Sequence, residues 1–187
     1  SLAICPLLMA SDEELAFLDM EKVRFLTDIR PAALSATGAD AVEFLISTNP
    51  GEEPKPIAKI ASGGELARIM LALKSVFADS FGVQTVIYDE IDAGVSGKTA
   101  RKIGIKLKTS ARGTQTICVT HSAQIASLAD RQLLIEKRVI DGRTETQVSE
   151  ITGDDRVREI ARILGGVTVS ETMRSSAREL IDEGKNY

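Results

Sequence analysis

Apolar and polar residues follow different periods in different parts of the chain. Over 22–29 (KVRFLTDI) and 41–47 (AVEFLIS) the apolar positions come in short, strand-like runs, and Gly38 lies between them. This predicts two strands joined by a turn. The stretch 49–56, NPGEEPKP, holds three prolines and a glycine and predicts a loop. The period then lengthens. Leu66, Ile69, Met70, Leu73, Val76 and Phe77 fall on one helical stripe, and Ser62 with Glu65 forms a capping-box pattern at its start.

Further along, TVIYDE (85–90) is a short apolar run ending in two acids. A helix is expected near 97–109, with Ile103 and Leu107 facing inward. TICVTH (116–121) and QLLIEK (132–137) read as two more buried strands, and 144–150 as a short edge strand. Two helices close the chain. Val157, Ile160, Ala161 and Leu164 give the first its stripe, and Gly165-Gly166 ends it. Thr168 with Glu171 predicts a second capping box, opening a helix that buries Met173, Ala177, Leu180 and Ile181. Buried strands separated by helices predict an α/β fold with a mostly parallel sheet flanked by helices. Residues 1–20 differ from the rest, with an apolar start, Pro6 and an acidic run at 12–14. They are expected to be a leader or the end of a truncated element, and 21–187 to form the globular lobe.

Composition narrows the class. The chain has 187 residues, 43% hydrophobic and 27% charged, enough apolar material to bury a core without disulfides. This excludes disorder as its main state. The apolar run LAICPLLMA is too short for a membrane span and has no basic region before it, so neither a membrane partner nor a signal peptide is expected. Two cysteines, Cys5 and Cys118, make no disulfide framework, and Cys118 reads as a small buried hydrophobe. A cytoplasmic setting is the expectation. The net charge of −4 argues against a domain that is basic throughout. Arg101, Lys102, Lys106 and Lys108 form a modest basic cluster, but charges elsewhere are interspersed and read as solvated faces.

Three features could carry chemistry. Asp89 and Glu90 end an apolar run, where α/β sheets bind ligands; adjacent side chains there point different ways, so one can hold a metal while the other addresses a water. A solvated acidic turn would look the same. Ser62-Gly63-Gly64 opens a helix, where free amides and the dipole favour an anion and glycine lets a phosphate approach closely. A plain capping box accounts for Ser62 and Glu65 but poorly for two glycines in a first turn, which cost stability. His121, the only histidine, follows a predicted strand and could contact phosphate or water, or simply enter a helix. Gly97-Lys98-Thr99 mimics the end of a phosphate-binding loop, but that motif needs glycine at position 92, which is Asp92. It reads as the start of a helix.

The three features together, in this order, resemble the ABC-type ATPases. They correspond to a signature motif (Ser62, Gly63, Gly64, Glu65), a Walker B strand (Asp89, Glu90), a D-loop (Ile91-Asp92-Ala93-Gly94) and a switch histidine (His121). Longer stretches, VEFLISTNPGEEPKP, IASGGELARIMLALK, IYDEIDAGVSGKTA, VTHSAQIASLADRQLLIEK, RVREIARILGG and ETMRSSARELI, resemble the C-terminal region of the RecN family. RecN proteins are bacterial double-strand-break repair proteins of SMC-like type. The resemblance covers about 21–187.

It implies the C-terminal lobe of an ABC-type ATPase head. No Walker A sequence occurs here, so an N-terminal Walker A lobe across a long coiled coil would complete the site, and 1–20 would lie where the chain returns from that coiled coil. By position, Asp89 would hold Mg²⁺ through water, Glu90 would polarise the attacking water, and His121 would contact the γ-phosphate. Ser62, Gly63, Gly64 and Glu65 would bind ATP held by a second head, with Asp92 at the same interface. The implied cofactors are ATP and Mg²⁺. The implied partners are the N-terminal lobe, a second head and, through the full-length protein on the nucleoid, DNA. This chain alone is expected to be inactive. Two other readings stay open: a non-enzymatic scaffold lobe, and a lobe of another SMC-like or ABC-type protein such as a transporter subunit. Retained Asp89, Glu90 and His121 weigh against the first, and the NPGEEPKP loop with the ASGGELARIM helix against the second.

Overall fold

The computed structural model describes residues 12–36, 38–59, 63–77, 83–140, 142–166 and 168–187, with 76 and 77 as backbone only. The chain divides into two compact units, Ser1–Val95 with Ser110–Val119, and Ser96–Thr109 with Thr120–Tyr187.

In the first unit, residues 12–17 form a helix (α1). Leu15 and Leu18, within and just after it, are fully buried. Strands β1 (Arg24–Ser35) and β2 (Gly38–Ser47) form the expected antiparallel hairpin. Its turn uses Gly38 at φ +119°, which only glycine adopts without strain. Pro31 lacks an amide to share, and β1 is accordingly an edge strand, in the order β1-β2-β3 with β3 at Lys55–Pro56. Phe25 and Phe44 pack with ring centroids 5.3 Å apart. The loop before β3 is closed by the buried Ser47 hydroxyl, which contacts the Asn49 and Glu52 carbonyls.

Helix α2 (Gly63–Phe77) follows. Its buried side is broader than the expected stripe: Ile69, Leu71 and Ala72 are fully enclosed, whereas Met70 stays 37% exposed. Leu71 lies off the predicted face, so the helix is covered on two sides. The core pair of strands is β4 (Thr85–Asp89) and β5 (Gln115–Val119), parallel and in register from Thr85↔Gln115 to Asp89↔Val119. This is the parallel pairing expected of an α/β protein.

The second unit contains α3 (Gly97–Ser110), α4 (Ala123–Ala126), β6 (Gln132–Ile140), β7 (Arg143–Ile151), α5 (Gly153–Gly165) and α6 (Glu171–Gly184). Ile103 and Leu107 of α3 are buried as expected. Ala123, Ile160, Ala161 and Ala177 form a core, with Val157, Met173, Leu180 and Ile181 packed around it. Gly166 ends α5 at φ +79°.

Two local expectations are corrected. QLLIEK does form strand, but β6 pairs antiparallel with β7 in its own ribbon, and Leu133 and Ile135 are more than half exposed. An apolar run reads alike in a parallel core and in a hairpin. The cap of α6 is Ser170, not Thr168: its Oγ accepts from the Met173 amide at 3.3 Å.

Candidate nucleotide site

Asp89 is the last residue of β4, at the carboxyl end of a parallel strand, and both it and Glu90 are exposed. Along the strand Tyr88 turns into the core while Ile87 faces out, 67% exposed. Burial pushes the Tyr88 hydroxyl up to about 12. Glu90 has φ +53°, a left-handed conformation that a glutamate adopts only when its surroundings enforce it. Those surroundings are visible in the following turn. The Ala93 amide donates to the Glu90 carbonyl at 3.0 Å, and Val95 to Asp92 at 3.4 Å. Ile91 is fully buried and Asp92 nearly so. Ile91 therefore pins the turn to the core, and Gly94 lets it reverse at φ +70°.

The two signature glycines serve different ends. Gly63 opens α2, and a side chain there would meet nothing within 4 Å. Gly64 is buried, and a Cβ on it would stand 2.9 Å from the Ala93 carbonyl oxygen and 3.2 Å from the Ala93 Cβ. The helix start thus presses directly on the D-loop. Ser62 lies outside the described residues. Glu65 is in the first turn of α2, half-buried.

Sequence reasoning missed Arg68. Its Nη1 donates to the Ala93 carbonyl at 3.4 Å, and burial lowers its pKa against the opposing effect of Glu65. The available signal was its i+4 spacing from Gly64, which puts both on one face of α2.

His121 belongs to the second unit, two residues past β5, and is exposed. The backbone after it is fixed by Ser122, whose amide donates to Thr120 Oγ1 at 3.0 Å. Arg156 closes this region further on: its Nη2 donates to the carbonyls of Ala126, Ser127 and Ala129, the last at 2.7 Å. Cys118 sits in β5 with its thiol raised to about 12, first by burial and then by Asp92 and Asp89.

Among the described residues no three His, Cys, Asp or Glu side chains cluster to hold a metal. Asp89 with Glu90 beside it suits Mg²⁺, which commonly takes one or two carboxylates plus substrate phosphates. The basic cluster of α3 is partly occupied within the second unit. Arg101 pairs with Glu183 at 3.0 Å and lies 6.0 Å from the Tyr187 ring, and Lys108 pairs with Asp130. Gly97-Lys98-Thr99 is the first turn of α3, and no strand leads into it. Among the described residues no helix is long and apolar enough to cross a membrane.

Solved structures carry the same fold. An Smc head domain with coiled coil and joint from Pyrococcus yayanosii matches with TM-score 0.58 and 20% identity, over 96% of this chain and 29% of that one. A chain from work on ATP-driven dimerization and DNA-stimulated activation of SMC ATPases matches with TM-score 0.52 and 19% identity, over 87% of this chain and 93% of that one. No protein-family model matches the chain. Among curated proteins, the DNA repair protein RecN of Halalkalibacterium halodurans is 44% identical over 175 residues, covering 91% of this chain and 31% of that protein. RecN of Bacillus subtilis is 41% identical, over 91% of this chain and 32% of its own length. RecN of Streptomyces coelicolor is 47% identical over 156 residues, 83% of this chain and 27% of the protein. Over most of its own length the chain is thus similar to RecN proteins. It spans about a third of the length of these relatives.

Proposed function

We propose that this chain is the C-terminal lobe of a RecN-type ATPase head, acting in DNA double-strand-break repair. The observation that carries the reading is the D-loop clasped between Gly64 of α2 and Glu90 after β4. A solvated acidic turn and an unrelated capping box would have no reason to be locked together.

In this reading Asp89 holds Mg²⁺ and Glu90 orients the attacking water, since phosphoryl transfer is mostly positioning and charge stabilisation. His121 contacts the γ-phosphate. Ser62, Gly63, Gly64 and Glu65 receive ATP bound to a second head, Gly63 because its open face admits a phosphate to the helix amides. Asp92 lies at the same interface. ATP joins two heads and hydrolysis separates them. Residues 21–187 are the lobe, and 1–20 lead in from the coiled coil.

The missing half of the site is expected in an N-terminal Walker A lobe. Parallel strands are normally covered on both faces. In the first unit Ile87, Ile117 and Val119 are 67%, 43% and 48% exposed on one face of β4 and β5, which supports completion by further chain. The test is ATP hydrolysis by this chain alone and after adding the purified N-terminal lobe. Inactivity alone with Mg²⁺-dependent turnover on mixing supports the split head. Turnover by the chain alone overturns it. Inactivity in a mixture whose lobes associate, with DNA present, favours the scaffold reading.

A further inference from the structure

Ala93 is the meeting point of two contacts from α2 and one to the Walker B end. Gly64 and Arg68, one turn apart on the same face of α2, both converge on its carbonyl: Gly64 by close approach and Arg68 by a hydrogen bond at 3.4 Å. On its other side, the Ala93 amide donates to the Glu90 carbonyl at 3.0 Å, closing the turn that holds Glu90 at φ +53°. Arg68 is half-buried where it makes this bond.

Resting on the head-lobe reading above, we propose that Arg68 is a positioning residue. It holds the D-loop against α2, so that an event at the start of α2 reaches the Glu90 carboxylate through Ala93. Three consequences distinguish this from a general packing role. Removing the guanidinium frees the Ala93 carbonyl and loosens the Glu90–Ala93 turn. The Glu90 carboxylate then loses its fixed direction, which slows the hydrolytic step. ATP affinity stays, because the Arg68 guanidinium is engaged on the Ala93 carbonyl and is given no part in holding nucleotide. A lysine reaches the same carbonyl with one donor and restores part of the effect, whereas methionine fills the volume without a donor.

The experiment uses the full-length protein with Arg68→Met and Arg68→Lys. Amide hydrogen exchange over 90–95 is measured without nucleotide, kcat and KM are measured with MgATP, and thermal melting is followed as a control. The expected result for Arg68→Met is roughly tenfold faster exchange at the Ala93 amide with little change elsewhere. With it come a roughly tenfold lower kcat, a KM within about twofold of wild type, and partial rescue by Arg68→Lys. Unchanged exchange at Ala93 overturns the proposal while leaving the head-lobe reading intact. So does a loss that lysine does not rescue and that tracks a lower melting temperature, the mark of a packing role. A wild-type protein that hydrolyses no ATP, with or without DNA, overturns the head-lobe reading and this inference with it.

Discussion

Gly64 and Ala93 lie so close that a methyl group on the glycine would stand 2.9 Å from the alanine's carbonyl oxygen. The neighbouring Gly63 faces open space. Two adjacent glycines that look equivalent in the sequence are therefore under different constraints: one is fixed by packing within the lobe, the other is free to meet something outside it.

Gly64→Ala is expected to cost about 1–3 kcal/mol of stability, the usual range for overpacking against backbone. At this chain length that lowers the melting temperature by roughly 2–4 °C per kcal/mol. Gly63→Ala is expected to leave melting within about 0.5 kcal/mol of wild type, as for a surface change. If the proposed function holds, it lowers ATP-dependent head association of the full-length protein instead. Melting curves and sedimentation of both variants check the pair. Equal melting losses at the two positions would contradict the packing difference.

Glu90→Gln keeps the size of the side chain and removes its charge. Turnover in the full-length protein is expected to fall on the order of 10²-fold or more, as for loss of a positioned acid–base group. ATP-bound dimers should persist, because in the proposed function the carboxylate acts on the water and not on nucleotide binding. Steady-state ATPase and gel filtration with ATP check this, and normal turnover would remove Glu90 from its assigned role.

Arg156 is half-buried and its Nη2 spans three carbonyls, at 3.5, 3.0 and 2.7 Å. Replacing it by leucine strands those acceptors at the end of α4, at a cost of about 1–3 kcal/mol. Lysine, with a single point of charge, recovers part of that. Thermal melting of Arg156→Leu and Arg156→Lys checks the order. By contrast the exposed Arg131–Glu150 pair, 2.6 Å apart on the β6–β7 ribbon, should contribute less than about 1 kcal/mol.

The Cys118 thiol is held up to about 12 by burial and by the nearby Asp92 and Asp89 carboxylates. All three effects favour the neutral thiol, so the reactive thiolate is scarce at neutral pH and grows only as pH climbs toward that value. In a Cys5→Ser background, alkylation at pH 8 is expected to be slow until denaturant is added. Mass-spectrometric labelling rates check it, and rapid labelling of the folded protein would show that β5 opens readily.

What the sequence made legible was local pattern. The β1–β2 hairpin around Gly38, the strand ending in Asp89-Glu90 and the buried Ile103 and Leu107 of α3 all follow from spacing within one element. What escaped depended on who packs against whom. Arg68 was not singled out, because its partner Ala93 is far along the chain. Leu71 is buried, off the expected stripe, because α2 is covered on two sides. Ser170 displaced Thr168 as the cap because its hydroxyl reaches the Met173 amide, a matter of where the helix begins and not of which residues match the motif. His121 falls in the second unit whereas Asp89 and Glu90 fall in the first, a division that the order of motifs along the chain does not reveal.

The left-handed backbone of Glu90 sets durability against usefulness at one position. A glutamate pays about 1–2 kcal/mol for φ +53° that glycine does not. Glycine at 90 would toughen the lobe and discard its carboxylate. A screen that rewards heat tolerance alone should therefore enrich Glu90→Gly, and its survivors would be sturdier and, under the proposed function, catalytically silent. Only selection that also demands turnover keeps the strained residue in place.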